Sequence, residues 1–282
     1  MKCLFYHKVD WDGLLSAAIV LAHVDGEFDL FPVNYGDPIL SIDELSKYEK
    51  VYVVDFSLPR EYNEFLKNLV WIDHHISAIK ANEDLNITGI RDLNYAACEL
   101  CWRYFSGRDM PNVVKMLGEY DIFNKSGRYY PWNDILAFQM GTRTIPLTIE
   151  NAKNFISPRY TVTINLIRGK AIMAYARQQE QTAFERMAWD VTLNGQPAKA
   201  LLANEMSSLM CEQTLATHQA DVVVLINRKD DKEFKLSVRV ADGCDFDASE
   251  FCKKFGGGGH LHAAGCTISV DKFIQLYTKH TL

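Results

Sequence analysis

A strongly polar tripeptide, Asp73-His74-His75, follows directly after the apolar stretch from Leu69 to Ile72. A carboxylate and two imidazoles are a poor continuation of a buried strand, so we predict that the strand ends there, at a site. Imidazole nitrogens and carboxylate oxygens both coordinate metal ions, and both accept or deliver protons. The tripeptide is therefore the first candidate for chemistry in this chain.

Two earlier apolar runs each lead into side chains of the same kinds. The first run precedes His7, Asp10 and Asp12, and the second precedes Asp55. A lone Asp after a strand is more often a helix N-cap than a ligand, so the argument depends on the recurrence. Because open parallel sheets bind ligands at the carboxyl ends of their strands, we expect all these residues to meet at one edge of a sheet.

Strand-like and helix-like segments alternate in the first part of the chain. Apolar periodicity and Pro or Gly signals predict strands at 3–6, 28–35, 51–55 and 69–72, and helices at 14–24, 41–48, 59–69, 94–105 and 111–123. The last of these helices carries Asp121 near its end. The alternation predicts an α/β fold with a parallel sheet, covered by helices on both faces through right-handed crossovers.

The organisation changes after about residue 151. Residues 161–187 contain no Pro and a single Gly, Gly169, which predicts a long connecting helix. Beyond it, Asn194-Gly195 lies between two strand-like runs and is a strong hairpin signal. Further strands are predicted at 221–226, 234–240 and 264–270, and helices at 208–217 and 248–255. We therefore predict an N-terminal domain at 1–150, a helical connector at 151–187 and a smaller C-terminal α/β domain at 188–282.

Composition limits the classes of protein to consider. The 282 residues, 48% of them hydrophobic, are enough for two globular domains. A formal net charge of −6 argues against a protein that binds long duplex nucleic acid, which requires a basic face. No apolar run is long enough for a membrane span and no signal-peptide pattern precedes the first strand, so we expect no membrane partner and a cytoplasmic location.

The seven cysteines are scattered without a disulfide framework, which fits a reducing compartment. Cys98 and Cys101 form one Cys-x-x-Cys. They lie in a helical pattern and no second pair follows, so we interpret them as core residues rather than zinc ligands.

The candidate ligands supply two imidazoles and four carboxylates: His7, Asp10, Asp12, Asp55, His74 and Asp121. Carboxylates that converge without counter-charge repel one another, so cations are expected among them. Oxygen ligands mixed with imidazole favour Mn²⁺, with Mg²⁺, Co²⁺ or Fe²⁺ as alternatives, and the lack of a thiolate argues against structural zinc. Six ligands suit two ions, roughly 3.5–4 Å apart and bridged by one carboxylate, which could support an in-line attack on phosphorus.

A second signal is the glycine run in the segment Phe255–Gly265, which reads FGGGGHLHAAG. Glycines let backbone N–H groups approach an anion closely, and a histidine or an arginine can donate further hydrogen bonds to it. A flexible linker is the alternative, but a linker would not lead directly into a histidine and a buried-looking Ala-Ala-Gly. We predict an anion cradle made by Arg239, Gly257, Gly258, Gly259 and His260.

In combination, these motifs resemble the DHH phosphoesterase superfamily with its C-terminal DHHA1 domain, over nearly the whole chain. The motifs that carry the resemblance are His7-x-x-Asp10-x-Asp12-Gly13, Asp55, Asp73-His74-His75, Asp121 and Gly-Gly-Gly-His followed by Ala-Ala-Gly. The resemblance implies one Mn²⁺ on His7, Asp10 and Asp55, and a second on Asp12, Asp55, His74 and Asp121. Asp55 would then bridge the two ions.

The resemblance also implies roles for the remaining site residues. His75 would face the substrate phosphate, and Asp73 would orient the ligating histidine from behind. The C-terminal domain would close over the substrate through Arg239 and the segment from Gly257 to His260.

The spacing of two residues between His7 and Asp10 is similar to that of the superfamily branch that degrades short oligonucleotides, the nanoRNases. We therefore expect a Mn²⁺-dependent phosphodiesterase that converts short oligonucleotides or dinucleotides to mononucleotides. Three alternatives stay open: cleavage of cyclic or linear dinucleotide signals, hydrolysis of pyrophosphate or short polyphosphate, and nucleotide sensing without turnover. The sequence also leaves open the base preference, the direction of attack, the physiological metal and whether the chain forms a homodimer.

Overall fold

The computed structural model describes residues 1–202, Leu215 and residues 220–281. The chain divides into two compact units, Met1–Met173 and Ala174–Leu282. The helix expected at 208–217 lies outside the described residues except for Leu215. Among the helices described here, none combines the length and the apolar character that a bilayer span requires.

The first unit is built on a four-stranded parallel sheet with strand order β2-β1-β3-β4. The strands are β1 (Lys2–His7), β2 (Phe28–Val33), β3 (Val51–Val54) and β4 (Leu69–Ile72). The helices between and after them are α1 (Trp11–His23), α2 (Ile42–Leu45), α3 (Arg60–Phe65) and α4 (Ile76–Ala81). Parallel pairing throughout confirms the sheet predicted from the alternating pattern.

The two faces of this sheet bury their side chains in separate apolar clusters. Leu4 and Ile72 belong to one cluster, whereas their chain neighbours Phe5 and Trp71 belong to the other. Burial on both faces explains why these strands read as continuous apolar runs rather than as an alternation. The first cluster also takes in residues of α5 (Ala97–Phe105), α6 (Asn112–Asp121) and α8 (Ile149–Phe155), and α7 (Trp132–Thr142) follows α6 in the chain. The helices α4, α7 and α8 were not predicted.

Strand β2 ends earlier than the expected residue 35. The Asn34 side chain accepts the N–H of Tyr35 at 2.8 Å, and the Asp37 carboxylate accepts the N–H of Asn34 at 2.9 Å. These side-chain acceptors compete with the strand ladder and turn the chain. The predicted helices at 41–48 and 59–69 are also shorter, as α2 and α3; α3 ends because Leu66 is extended.

The long helix predicted at 161–187 is confirmed as α9 (Thr163–Met187). Its one glycine has a packing reason. A Cβ atom at Gly169 would lie 1.5 Å from the carbonyl oxygen of Ala137 on α7, so only glycine permits this approach.

The second unit contains a six-stranded sheet with strand order β5-β6-β7-β8-β10-β9, antiparallel except between β6 and β7. Its elements are β5 (Trp189–Leu193), β6 (Gln196–Leu202), β7 (Val222–Arg228), β8 (Glu233–Val240), α10 (Ala248–Lys253), β9 (Gly258–His260), β10 (Ala263–Ser269) and α11 (Val270–Lys279). Asn194 and Gly195 have φ angles of 47° and 85° and form the predicted hairpin turn. Strand β9 and helix α11 were not predicted.

Cys98 and Cys101 are fully buried in the first unit's core. Burial raises the pKa of both thiols well above its ordinary value, so they stay neutral and are poor metal ligands. We expect the double variant Cys98→Ala, Cys101→Ala to lose roughly 1–3 kcal/mol of unfolding free energy through lost packing, with unchanged metal content. Urea denaturation and elemental analysis measure the two quantities; a loss of bound metal in the folded variant would contradict the core interpretation.

Candidate metal centre

The predicted ligands lie at the carboxyl ends of three adjacent strands. His7 is the last residue of β1, Asp55 follows β3 directly, and the tripeptide beginning with Asp73 follows β4. Since β3 lies between β1 and β4, Asp55 occupies the central position at this edge. Open parallel sheets bind ligands at the carboxyl ends of their strands, and these polar residues lie at that edge.

The first group of possible ligands consists of His7, Asp10 and Asp55, whose ligand atoms all lie within 4.8 Å of one another. The His7 Nδ1 atom is 2.8 Å from Asp10 Oδ2 and 3.7 Å from Asp55 Oδ2. The other oxygen of Asp10 accepts the N–H of Gly13 at 3.0 Å, so Asp10 also caps helix α1. The helix start thereby fixes the direction of this carboxylate.

The second group consists of Asp12, His74 and Asp121. The His74 Nε2 atom lies 3.5 Å from Asp12 Oδ2, 3.3 Å from Asp121 Oδ2 and 3.3 Å from Asp55 Oδ1. Asp55 thus presents one carboxylate oxygen to His7 and the other to His74. The structure brings all six predicted metal ligands together in two neighbouring groups, and Asp55 of the first lies 3.3 Å from His74 of the second.

Asp55 also has an unusual backbone. Its φ angle is 49°, in the left-handed region that a non-glycine residue seldom adopts, and its N–H donates to the carbonyl of Ile72 at 3.1 Å. Strained backbones concentrate at functional sites because the surrounding structure has to enforce them. The strained backbone conformation therefore belongs to Asp55, the residue that lies between His7 and His74.

Asp12 is held from behind by helix α5. Its two carboxylate oxygens accept the backbone N–H groups of Cys98, at 2.8 Å, and Ala97, at 2.9 Å. These are unpaired donors of a helix N-terminus, which favours a negative charge. The next residue is Gly13, and a Cβ atom there would lie 2.1 Å from the carbonyl oxygen of His7, so the glycine lets α1 start close against β1.

The Asp73 carboxylate is fully buried and accepts hydrogen bonds on both oxygens. Its Oδ1 atom accepts the backbone N–H of His74 at 2.7 Å, the backbone N–H of His75 at 3.2 Å and Nδ1 of the His75 ring at 2.6 Å. Its Oδ2 atom accepts the indole N–H of Trp71 at 3.2 Å. The expected role of Asp73 therefore needs correction in one respect: its ring contact is with His75, and it reaches His74 only through the backbone.

Asn34 is a site residue that the sequence reasoning missed. Its side-chain oxygen lies 3.1 Å from His7 Nε2 and also accepts the N–H of Tyr35. An amide oxygen only accepts, so the His7 proton is placed on Nε2 and Nδ1 is turned toward Asp10 and Asp55. The available signal was its position directly after β2, at the same sheet edge. The prediction considered only acids and imidazoles as site residues, and an amide was therefore left out.

Histidine protons supply the positive charge of this centre in the metal-free protein. The interaction with the Asp55 carboxylate raises the pKa of His7 to about 9, against the opposing effect of burial. Burial lowers the pKa of His74, but the bond to Asp55 and the charges of Asp12 and Asp121 outweigh it and raise the pKa to about 10. Both imidazoles are therefore protonated near neutral pH.

The pKa values of the carboxylates are shifted in opposite directions. Burial, followed by the charges of Asp55 and Asp121, raises the pKa of Asp12 well above its ordinary value. Burial and the Asp55 charge raise the pKa of Asp121, whose side chain is 29% exposed, to about 6. Burial also acts to raise the pKa of Asp55, but hydrogen bonds from His7 and His74 outweigh it and the pKa lies below its ordinary value. The donor set therefore fits divalent cations, which would replace protons now shared among the acids and imidazoles.

We expect metal binding to release protons. A metal requires neutral imidazoles, and His7 and His74 keep their protons up to about pH 9 and about pH 10. Binding of Mn²⁺ at pH 7 should therefore release at least the two imidazole protons, and apparent affinity should rise steeply between pH 6.5 and 9. Calorimetric titration in two buffers of different ionisation enthalpy counts the protons. His7→Gln and His74→Gln should each release one fewer, and release near zero in the unchanged protein would contradict the assignment.

The same pKa shifts set the sign of a stability change in the metal-free protein. A histidine whose pKa is raised by folding stabilises the fold fully when the pH is below the pKa of the unfolded state, near 6.5. This contribution is lost as the pH rises through the pKa of the folded state. Because the folded-state pKa is about 9 for His7 and about 10 for His74, the metal-free first unit should lose stability between pH 6.5 and 10.

Two of the predicted anion-binding residues of the second unit, Arg239 and His260, lie in one row of its sheet. Arg239 on β8 is directly opposite Ala263 on β10, and Ala263 is directly opposite His260 on β9. Directly opposite residues share a face, so Arg239 and His260 flank a small alanine at roughly 10 Å from each other. One guanidinium nitrogen of Arg239 donates to the Val238 carbonyl at 2.9 Å, and within the part of the chain that is described its buried Nε has no partner.

The glycine run has a packing role that the sequence did not reveal. A Cβ atom at Gly257 would lie 2.2 Å from the Gly265 carbonyl oxygen, and one at Gly259 would lie 2.5 Å from that of Ala263. Gly258 has open space around its Cα atom. The run was expected to form an anion cradle between a helix and a strand, and in the structure Gly258–His260 pairs with β10 as an edge strand. Close approach to β10 therefore accounts for two of the glycines, and their contact with an anion stays a prediction.

Comparison with known proteins agrees with this architecture. Residues 197–279 match the DHHA1 domain. The pGpG-specific phosphodiesterase PggH from Vibrio cholerae is 13% identical over 99% of this chain and 97% of its own, with a TM-score of 0.60. The DHH domain of a protein described as a member of a family of ribosomal proteins is 14% identical over 99% of this chain and 85% of its own, with a TM-score of 0.51. No curated protein matches the sequence. Residues 197–279 therefore resemble a DHHA1 domain, and the chain as a whole shares the fold of these two proteins.

Proposed function

We propose that this protein is a Mn²⁺-dependent phosphodiesterase that hydrolyses short oligonucleotides to mononucleotides. The observation that carries the proposal is Asp55, which offers one carboxylate oxygen to His7 and the other to His74. A carboxylate shared by two ligand groups is typical of sites that hold two divalent cations for phosphoester hydrolysis.

The residues that would hold the metals form the two groups described above. They are His7, Asp10 and Asp55 for one ion, and Asp12, His74 and Asp121 for the other. Asp55, which also lies 3.3 Å from His74, would be the ligand that both ions share. Mixed imidazole and carboxylate donors favour Mn²⁺, with Mg²⁺ or Co²⁺ as substitutes. The chemistry that two bound cations supply is polarisation of the phosphate and activation of water at neutral pH.

His75 is the group that we assign to the substrate phosphate. Its Nδ1 atom is bound by Asp73 at 2.6 Å, which leaves the opposite ring nitrogen for a ligand, and its side chain is 38% exposed. The hydrogen bond with Asp73 raises the pKa of His75, and a protonated ring donates to a phosphate oxygen or to the leaving oxygen. Asp73 acts through His75 by fixing the orientation of its ring.

We assign a second phosphate of the substrate, away from the bond that is cleaved, to Arg239, Gly257, Gly258, Gly259 and His260. The unpartnered Arg239 Nε atom and the His260 side chain on the same face of the sheet support this assignment. A guanidinium and an imidazole that flank a small residue form a shallow polar surface that suits a phosphate.

Two observations favour a short nucleotide substrate. The net charge of −6 offers no basic track for the successive phosphates of a long strand. The V. cholerae protein with the same fold is named as a pGpG-specific phosphodiesterase, which makes linear dinucleotides the first substrates to test. Cyclic dinucleotides and pyrophosphate are the other substrates to compare, and nucleotide binding without turnover is the non-enzymatic outcome.

A substrate panel tests the proposal. It consists of pApA, pGpG, a cyclic dinucleotide, a 5-mer, a 20-mer and pyrophosphate, each with Mn²⁺, Mg²⁺ or Co²⁺ and with a chelator. We expect the linear dinucleotides to be cleaved fastest and kcat/KM to fall steeply beyond about five nucleotides. Faster hydrolysis of pyrophosphate, equal rates on the 20-mer, or tight nucleotide binding without product would each overturn it.

A pair of arginine variants tests the second phosphate site. Arg239→Ala should lose at least about tenfold in kcat/KM on pApA, because it removes a charge-assisted contact, but little on bis(p-nitrophenyl) phosphate, which has no second phosphate. Arg228→Ala is the control, since Arg228 is exposed and pairs with Asp231. An equal loss on both substrates would contradict the role given to Arg239.

A further inference from the structure

Tyr35 is an exposed aromatic residue at the rim of the metal centre. It lies two residues beyond β2, and 51% of its surface is exposed. Its ring centroid is 5.8 Å from that of His7 and 6.1 Å from that of His75. These histidines lie at the ends of two different strands, so Tyr35 lies where a substrate held by both would extend.

Two contacts hold Tyr35 in place, one through its backbone and one through its ring. Its N–H donates to the Asn34 side-chain oxygen at 2.8 Å, the atom that also contacts His7. Its ring packs at 5.1 Å and 36° on Phe56, which is buried. An aromatic ring held in place and still half exposed is a ready stacking surface, because little side-chain freedom remains to be lost on binding.

Other roles fit the surroundings of Tyr35 less well. A ring that is half exposed adds little to a core, and a phenol carries no positive charge to attract a phosphate beside the carboxylates of Asp10 and Asp55. The exposed ring surface is the part of the residue that has no function in the fold.

We propose that Tyr35 is the platform on which a base of the substrate stacks while the neighbouring phosphate lies at the metal centre. This inference rests on the proposed function and deepens it, because it makes the substrate a nucleotide rather than pyrophosphate or polyphosphate. Stacking on an aromatic ring tolerates all bases, since every base has a π face. Tyr35 should therefore confer selectivity for base-bearing substrates without strong preference among bases.

Three substitutions separate the ring from its hydroxyl. Tyr35→Ala should lose about ten- to a hundredfold in kcat/KM on pApA and little on the abasic analogue that has the same sugar-phosphate backbone. Tyr35→Phe and Tyr35→Trp should retain most of the activity on pApA. Tyr104→Ala, on the surface of α5, is the matched control and should behave as the unchanged protein does. A Tyr35→Phe defect as large as that of Tyr35→Ala would assign the effect to the hydroxyl and overturn the platform.

A binding readout that does not depend on turnover completes the test. With Ca²⁺ in place of Mn²⁺, the fluorescence of a 2-aminopurine dinucleotide should be quenched by the unchanged protein and by Tyr35→Phe, and not by Tyr35→Ala. Equal quenching by Tyr35→Ala would overturn the platform, even if the unchanged protein cleaves dinucleotides as proposed. If the unchanged protein cleaves no nucleotide, the proposed function fails, and the quenching comparison then decides on Tyr35 by itself.

Discussion

An Asp55→Asn variant should lose at least about a thousandfold in kcat/KM toward dinucleotides while it remains folded. Metal-based stabilisation of a phosphoryl transition state is worth several kcal/mol, and each 1.4 kcal/mol is about tenfold in rate. Both oxygens of Asp55 face ligand groups, at 3.7 Å from His7 Nδ1 and 3.3 Å from His74 Nε2. An amide replaces one oxygen by an N–H₂ donor, which cannot coordinate a cation, so one of the two groups loses its shared ligand.

The same variant tests the electrostatics of the metal-free state. The sequence predicts that the converging carboxylates repel one another, and the loss of one of them would then relieve that repulsion. The structure reverses that expectation, because His7 and His74 hold the pKa of Asp55 below its ordinary value and are protonated themselves. Asp55→Asn should therefore lower the metal-free stability at pH 6.5, where the ion pairs are formed.

Urea denaturation in a chelator at pH 6.5, metal content and turnover on pApA together decide the outcome. Asp43→Asn, in the exposed first turn of α2, is the control that removes one negative charge far from the ligand groups. A folded Asp55→Asn protein with normal turnover would refute the shared ligand. An Asp55→Asn variant that is more stable than the unchanged protein would refute the ion pairs of Asp55 with His7 and His74.

The parts of the centre that could be predicted from sequence are those in which an apolar run ends in a polar or charged side chain. His7, Asp55 and the Asp73-His74-His75 tripeptide each lie at the end of a buried strand, and strand order then brings them to one edge. Asn34 and Tyr35 lie at the same edge but could not be found in this way. Amides and phenols are ordinary loop residues, and only their distances to His7 show that they belong to the site.

The second unit shows where local patterns fail. Two of the three residues of β9 are glycines, which disfavour strands, and the strand exists because it pairs with β10. A strand was expected up to residue 270, but β10 ends at Ser269, whose hydroxyl accepts the N–H of Lys272 and caps α11. Apolar residues on both sides of that cap hide the change from a period of two to a period of 3.6.

His74→Gln and His75→Gln should differ in kind, although the two residues are adjacent. The His74 Nε2 atom is within 3.5 Å of carboxylate oxygens of Asp12, Asp55 and Asp121, whereas the His75 Nδ1 atom is engaged by Asp73. We expect His74→Gln to bind one metal ion fewer per chain. We expect His75→Gln to keep both ions and to lose about 10²- to 10⁴-fold in kcat/KM, the usual contribution of a positioned acid or base.

Asp73→Asn should resemble His75→Gln rather than His74→Gln. Its carboxylate contacts the His75 ring and only the backbone of His74, so an amide would disturb the orientation of the His75 ring without removing one of the proposed ligands. Elemental analysis, calorimetric titration with Mn²⁺ and turnover on pApA distinguish the three variants. The side chains of Asp55, Asp73, His74 and His75 also have ligand atoms within 4.8 Å of one another. A loss of metal in His75→Gln or Asp73→Asn would therefore show that these four residues hold an ion. His75 would then be a metal ligand rather than the group that contacts the phosphate.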